Sequence, residues 1–221
     1  MRIIKTNLVI LFMLVSVAVF GQNHIIGLRS GIGLTNVKSD ISHTQSLISA
    51  NLGMTYNYRM ADKWNLGIGL HYNRKGFNSD YNKLIFNTNS IGNVIGSKDP
   101  VDLKAYYLSI PISIGVQGTQ TIAGFCNLAI APSFLIDAKE TDVTQNYITI
   151  DVSDKVTKFD FVGLLEIGTL YQPESSMEIS LSLSYQQGFK KVTNSDYYIQ
   201  SNVYHYGFLL SIGIKYDITK E

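Results

Sequence analysis

The chain has 221 residues, 18 basic and 17 acidic, with one cysteine and 16% charged side chains. A near-neutral balance without a basic block excludes nucleic-acid binding of the electrostatic kind. A single cysteine excludes an internal disulfide, and the length suits one domain.

Residues 1–21 open with Arg2 and Lys5, run apolar from Leu8 to Phe20, and end with Val19 and Gly21 at the −3 and −1 positions of a cleavage site. The apolar run is short of the ~20 residues of a spanning helix. It reads as a secretory signal peptide that is removed, leaving a domain over 22–221. Without Arg2 and Lys5 the remainder is one charge negative. Cys126 is far from the cleavage site, which excludes a lipoprotein anchor.

Eight segments then alternate with period two, the signature of strands. Near Ile25 to Thr35, Ile26, Leu28, Ile32 and Leu34 oppose Gly27, Arg29, Gly31 and Gly33. From Leu47 to Met60, Ile48 through Tyr58 oppose Ser49, Asn51, Gly53, Thr55 and Asn57. From Trp64 to Lys75, Trp64, Leu66, Ile68, Leu70 and Tyr72 oppose Asn65, Gly67, Gly69, His71 and Asn73. In the fourth, Tyr106, Leu108, Ile110, Ile112, Ile114 and Val116 oppose Tyr107, Ser109, Pro111, Ser113, Gly115 and Gln117. The fifth, Thr121 to Ile136, is less regular, with Phe125 among the small residues. The sixth, Phe159 to Tyr171, sets Phe159, Phe161, Leu165 and Ile167 against Asp160, Val162, Glu166 and Gly168. Met177 to Tyr185 and Tyr204 to Tyr216 complete the set, with Ser-rich and Gly-rich opposite faces. Pro111 removes a ladder donor inside a strand and predicts a local irregularity or bulge there.

Short and long connections alternate. Ala61–Lys63, Gly118–Gln120 and Gln172–Ser175 are tight, whereas Asn36–Ser46, Gly76–Pro100, Asp137–Lys158 and Lys190–Val203 are long and polar. Within the third long loop, "YITI" suits an extension of the hairpin. Antiparallel neighbours place all short turns at one end and all long loops at the other, as in outer-membrane barrels.

Periodicity alone fits two barrels, a soluble lipocalin-like one with the apolar face inward and a membrane one with it outward. Three features favour the membrane. Aromatics gather at both ends of the apolar faces around an aliphatic middle, as girdles do at two membrane–water interfaces. The opposite face is too small and uncharged for a soluble surface. The chain is exported and has no disulfide. The expected fold is therefore all-β, an eight-stranded antiparallel up-and-down transmembrane β-barrel in the outer membrane, its termini periplasmic and its long loops outside.

The pieces "LRSGIGLTN", "LGIGLHYNRKGF", "YYLSIPISIGV" and "YHYGFLLSIGIKYDI" resemble the outer-membrane β-barrel proteins called PorT-family or "porin family", common in Bacteroidota. Most distinctive are Tyr72-x-x-Lys75-Gly76-Phe77 and Tyr107-Leu108-x-Ile110-Pro111. The resemblance covers nearly all of Gln22 to Ile218 and implies an eight-stranded barrel, with one member tied to secretion and gliding. The chain departs from the aromatic last residue of many such barrels, ending Tyr216-Asp217-Ile218-Thr219-Lys220-Glu221.

The small, polar face carries Arg29, His71, Lys75, Asp160, Glu166, Glu178, His205, Lys215 and Asp217. An enzyme would pair His71 or His205 with Glu166 or Asp160. A plug of ion pairs and hydrogen bonds satisfying a buried polar interior is favoured over that. No G-x-S-x-G occurs and no His spacing suits a metal, so no catalytic residue, cofactor or metal site is expected. Cys126 falls on the lipid face as an apolar filler, and His24 and His43 are expected to be solvated. Eight strands leave too little room for a wide channel. The expected role is structural or interaction-based, through external loops that meet an extracellular or envelope protein, on a monomer whose other contact is lipid. A narrow pore, an outer-membrane enzyme and a soluble binder are the alternatives.

Overall fold

The computed structural model describes residues 23–38, 44–60, 63–79, 83–84, 96–97, 101–142, 148–192 and 202–219. The expected signal peptide and His43 lie outside the described residues. Eight strands form the ring: β1 (Asn23–Lys38), β2 (Thr44–Met60), β3 (Trp64–Ser79), β4 (Val101–Ser109 with Ile112–Gln117), β5 (Ile122–Asp142), β6 (Phe159–Glu174), β7 (Met177–Gly188) and β8 (Tyr204–Asp217). Each pairs antiparallel with its predecessor, and β8 pairs with β1 from Ile25↔Asp217 to Lys38↔Tyr204. The ring closes, so its backbone groups are satisfied within it, the condition a sheet must meet in lipid.

The faces are arranged inside out. Ile32 is 66% exposed and Leu128 58%, whereas Ser133 is fully buried. Asn51, Asn73, Glu178 and Ser182 are buried as well. A lipocalin-like barrel would show the reverse, so the soluble reading fails on the direction of the faces. On β8 the outward row runs from Tyr206 to Tyr216. Ten steps of ~3.3 Å, tilted by ~40°, give ~25 Å of height, the thickness of a membrane barrel's apolar band. The girdles are visible too. Tyr72 stacks on Tyr106 at 6.0 Å, Phe134 tilts on Phe159 at 5.3 Å and Tyr185 on Phe208 at 5.1 Å at the loop end. Tyr56, Trp64, Tyr171 and Tyr216 are exposed at the turn end. His24 is not simply solvated, because its Nδ1 lies 2.6 Å from the Tyr56 hydroxyl.

Several strands outrun the apolar pattern. β1 continues to Lys38 and β2 begins at Thr44, within what reads as loop, and β5 continues to Asp142. Residues Thr149–Asp151 pair with Lys139–Thr141, so Thr149 and Ile150 of the "YITI" segment extend the hairpin, while Tyr147 lies outside the described residues. Once the ladder is set, each further backbone pair forms without an apolar side chain to announce it. The turn between β6 and β7 is only Ser175 and Ser176.

At Pro111 the expected irregularity is present, but it is not a bulge. Strand assignment lapses at Ile110 and Pro111, yet the register runs on unshifted, from His71↔Ser109 to Ile68↔Ile112 on one side and from Ser109↔Ser133 to Ile112↔Ile130 on the other. Gly69 N–H donates to Pro111 O and Ile110 N–H donates to Pro132 O, both at 2.9 Å. The reciprocal donors would be the nitrogens of Pro111 and Pro132, which carry no hydrogen. The strand loses two bonds at one height and keeps its path. The register shifts instead lie at Ser46/Ala50 on β2 and Tyr106/Tyr107 on β4, with one more at the β6–β7 turn.

Candidate functional site

The interior is built in layers. At the turn end the Arg59 guanidinium pairs with Glu178, whose Oε1 also accepts from Gln172 Nε2 at 2.9 Å. Lys215 lies one strand away, opposite Glu178 in register, with its Nζ 5.5 Å over the Phe125 ring. Mid-barrel, Arg29 Nη2 meets Glu166 Oε1 at 2.7 Å. Ser182 Oγ donates to that same oxygen at 2.7 Å, and Asn127 Nδ2 donates to Oε2 at 3.0 Å. His71 stands beside them over Gly53, where any Cβ would run into the imidazole. Gly53 and His71 are cross-strand partners on β2 and β3, and glycine leaves the space into which the imidazole leans.

A hydrogen-bonded string crosses four strands above this. Asn51 donates to Asn73, Asn73 Nδ2 to Ser109 Oγ at 2.8 Å, and Ser109 Oγ shares a proton with Ser133 Oγ at 2.7 Å. Next comes Lys75, its Nζ 3.6 Å from Asp160 Oδ2 and 5.1 Å over the Tyr107 ring. Asp160 Oδ1 accepts from the Phe161 N–H at 2.8 Å and the Lys190 N–H at 3.3 Å.

The loop end of the lumen is then closed by an apolar plug. Val37, Phe77, Leu103, Ala105, Tyr107 and Ala138 from the strands pack with Val152, Val156, Val192 and Val203 from the connections. The connections are fastened to the wall: Val152 N–H donates to Ala138 O at 2.9 Å and Val192 N–H to Val203 O at 2.9 Å. His205 belongs to this plug rather than to a polar site. Its ring stands edge-on to both Phe77 and Tyr107. Below the plug lies a cavity of about 90 Å³, bordered by Arg29, Asn51, His71, Asn127, Glu166 and Lys215 among others. At ~30 Å³ per molecule it has the size for a few waters. His71 Nε2, Asn51 Oδ1 and Asn127 Oδ1 border it without a protein partner.

A family model described as the outer membrane protein beta-barrel domain matches residues 20–194. The chain belongs to this family. Its place is therefore the cell outer membrane. No curated protein matches it. Among solved structures it is similar to Neisserial surface protein A, NspA, with 13% identity and a TM-score of 0.50 over 87% of this chain and 97% of that one. It is also similar to the outer membrane protein OprG from Pseudomonas aeruginosa, with 12% identity and a TM-score of 0.51 over 89% of this chain and 96% of that one. At such identity these likenesses show the shared fold.

Within this outer-membrane barrel the predicted polar residues do face inward, but as separate layers. Arg29 joins Glu166, Lys75 joins Asp160, and Glu178 takes Arg59, a residue the sequence reading passed over. Arg59 continues the inward parity of Asn51, Gly53, Thr55 and Asn57, and that parity was the available signal. The plug was missed entirely, because isolated valines in polar loops carry no period. Cys126 is on the outward row, paired with Val116 and Ile167. Among the described residues no three His, Cys, Asp or Glu side chains gather as a metal site.

Proposed function

We propose that the protein is a non-conducting, non-catalytic interaction module, its loop end facing outside the cell and its termini in the periplasm. The observation that carries this reading is the apolar plug. Ten buried side chains fill the loop end of the lumen, which opposes passage of solutes and gives the connections above it a rigid base on which to present recognition surfaces. The carboxylates that a catalytic pair would need are already engaged. Both oxygens of Glu166 and both of Asp160 face cations, amides or hydroxyls of the wall. A PorT-type role, in which such a barrel contacts other envelope proteins, is the specific form this reading favours.

Two measurements test it. In planar bilayers the purified barrel is expected to give no steady ohmic current, and a stable pore overturns the reading. On intact cells, in a Cys126→Ser background, Asp154→Cys is expected to react with an impermeant maleimide. Ser175→Cys is expected to react only after the outer membrane is permeabilised, and the opposite labelling pattern overturns the orientation.

A further inference from the structure

Lysines at the loop end of the exterior differ in their partners. Lys104 and Lys139 face each other across β4 and β5, and each is neutralised by its own strand. Lys104 Nζ is 3.5 Å from Asp102 Oδ2, and Lys139 Nζ is 2.9 Å from Asp137 Oδ2. Lys158, Lys190 and Lys191 are different. All three are exposed, and among the described residues none of their ammonium groups has a carboxylate partner. The start of β6 and the end of β7 hold them together, through Phe189 N–H to Phe161 O at 2.9 Å and Thr157 N–H to Val192 O at 2.8 Å. Three lysines along one stretch of the rim, with no carboxylate on their ammonium groups among the described residues, draw an anion to it.

Their height is also informative. Lys190 Nζ sits 4.5 Å over the Phe159 ring, which packs on Phe134 in the aromatic girdle. That is the level at which lipid headgroups lie and at which lysines extend their ammonium groups out of the apolar band. Directly below, the apolar exterior of β4 to β7 is indented by a groove of about 600 Å³. Ile114, Leu128, Ile130 and Leu165 line it, and Phe189 forms its rim. Gly163, on the outward row of β6 between Phe161 and Leu165, leaves room for the Phe189 ring, which lies over it at the edge of the groove. A Cβ there would lie 3.0 Å from Phe189 Cζ. The volume is within the ~300–1,000 Å³ of small-ligand sites.

We propose that this is a binding site for a phosphate-bearing anionic membrane lipid, its headgroup phosphate held by Lys158, Lys190 and Lys191 and one acyl chain lying in the groove beside Phe189. A cation cluster at the rim of an apolar groove continuous with the lipid face matches an amphiphile, whereas a free phosphate would leave the groove unused. The site depends on the membrane barrel and not on the loop-partner reading, so either can fail alone.

The test is native mass spectrometry of the full barrel released from detergent, titrated with phosphatidylglycerol and, as a zwitterionic control, phosphatidylcholine. One phosphatidylglycerol should be retained in preference to phosphatidylcholine. Lys→Gln at 158, 190 and 191 together should weaken it about 100-fold, or roughly five-fold per lysine, the scale of a lysine's attraction to an anionic membrane surface. Phosphatidylcholine binding should stay as it was. Gly163→Leu, which displaces the Phe189 ring that forms the rim of the groove, should weaken both lipids, with heat-modifiable gel mobility confirming that each variant folds. Equal retention of the two lipids overturns the proposal, as does an unaffected triple variant. Undiminished binding to the folded Gly163→Leu variant overturns it too, and so does complete displacement by inorganic phosphate at the lipid's own concentration.

Discussion

Arg29 Nη2 and Glu166 Oε1 meet at 2.7 Å across the lumen, tying β1 to β6, strands that are not neighbours in the ring. The pair therefore braces opposite walls. Removing one charge leaves the other poorly solvated inside the barrel, at a cost of about 3 kcal/mol. Glu166→Gln should lower the urea midpoint for unfolding in micelles accordingly. The double change Arg29→Met with Glu166→Leu should recover much of that loss, since an apolar pair of similar size avoids the desolvation of two ions. An unchanged midpoint in Glu166→Gln would show that the brace is idle.

Pro111 and Pro132 deprive Gly69 O and Ile110 O of their reciprocal donors while leaving the register straight. Pro132→Val puts an N–H opposite Ile110 O and a β-branched side chain on the lipid face. The new hydrogen bond adds about 1 kcal/mol, offset by the ~0.4–1 kcal/mol of unfolded-state rigidity that proline supplies. Stability should be nearly unchanged. The decisive reading is the amide that the substitution introduces, which should exchange with deuterium as slowly as its ladder neighbours. A fast-exchanging amide would mean a local bulge, contrary to the unshifted register.

The barrel was legible in the sequence because lipid and lumen impose opposite demands on alternate residues, and a period of two survives noise at single positions. Trp64 to Tyr72 and Tyr204 to Tyr216 announce both their strands and their faces. The inward set was legible for the same reason, and Arg29, Lys75 and Glu166 could be placed without knowing their partners. The partners were not legible. Arg29 finds Glu166 more than a hundred positions away through ring closure and stagger, which no local pattern encodes. Nor was the plug. Val152, Val156, Val192 and Val203 are single apolar residues in polar stretches, and they become a core only when two connections fold over Tyr107 and Phe77. The irregularity expected at Pro111 took the form of two missing hydrogen bonds and not of a bulge, because those bonds cost less than breaking a register held by the strands on either side.

Beyond the girdle, Ser153 N–H donates to Asp151 Oδ1 at 2.9 Å. That backbone hydrogen bond, with a smaller contribution from the Ser153 side chain, holds the Asp151 carboxyl below its usual value of 3.8. A depressed carboxyl contributes order that is present above its unfolded value and is lost as pH falls through the folded value. The turn after Thr149–Asp151 should therefore stay intact at neutral pH and loosen only below about pH 4. Carboxyl NMR titration of Asp151 should give a midpoint below 3.8, and Ser153→Pro, which deletes the N–H, should return it toward the ordinary range. A midpoint already ordinary in the unaltered protein would show that the bond is not held in solution.

Tyr107 is 1% exposed at the junction between plug and polar lumen, with Lys75 beneath its ring and His205 at its edge. With Phe77, which is 3% exposed, it supplies most of the aromatic bulk of the plug. Each truncation to alanine should cost about 3–5 kcal/mol if the site cannot collapse. Collapse is resisted here because the wall is a closed hydrogen-bonded ring. The space freed should instead join the cavity below, which already reaches Lys75. Tyr107→Ala with Phe77→Ala should therefore turn a silent barrel into one with measurable single-channel openings, while heat-modifiable mobility shows that the ring still folds. Identical silence in the folded double variant would place the barrier lower, among Arg29, His71 and Glu166. Equal conductance in the unaltered protein would remove the plug as the barrier altogether.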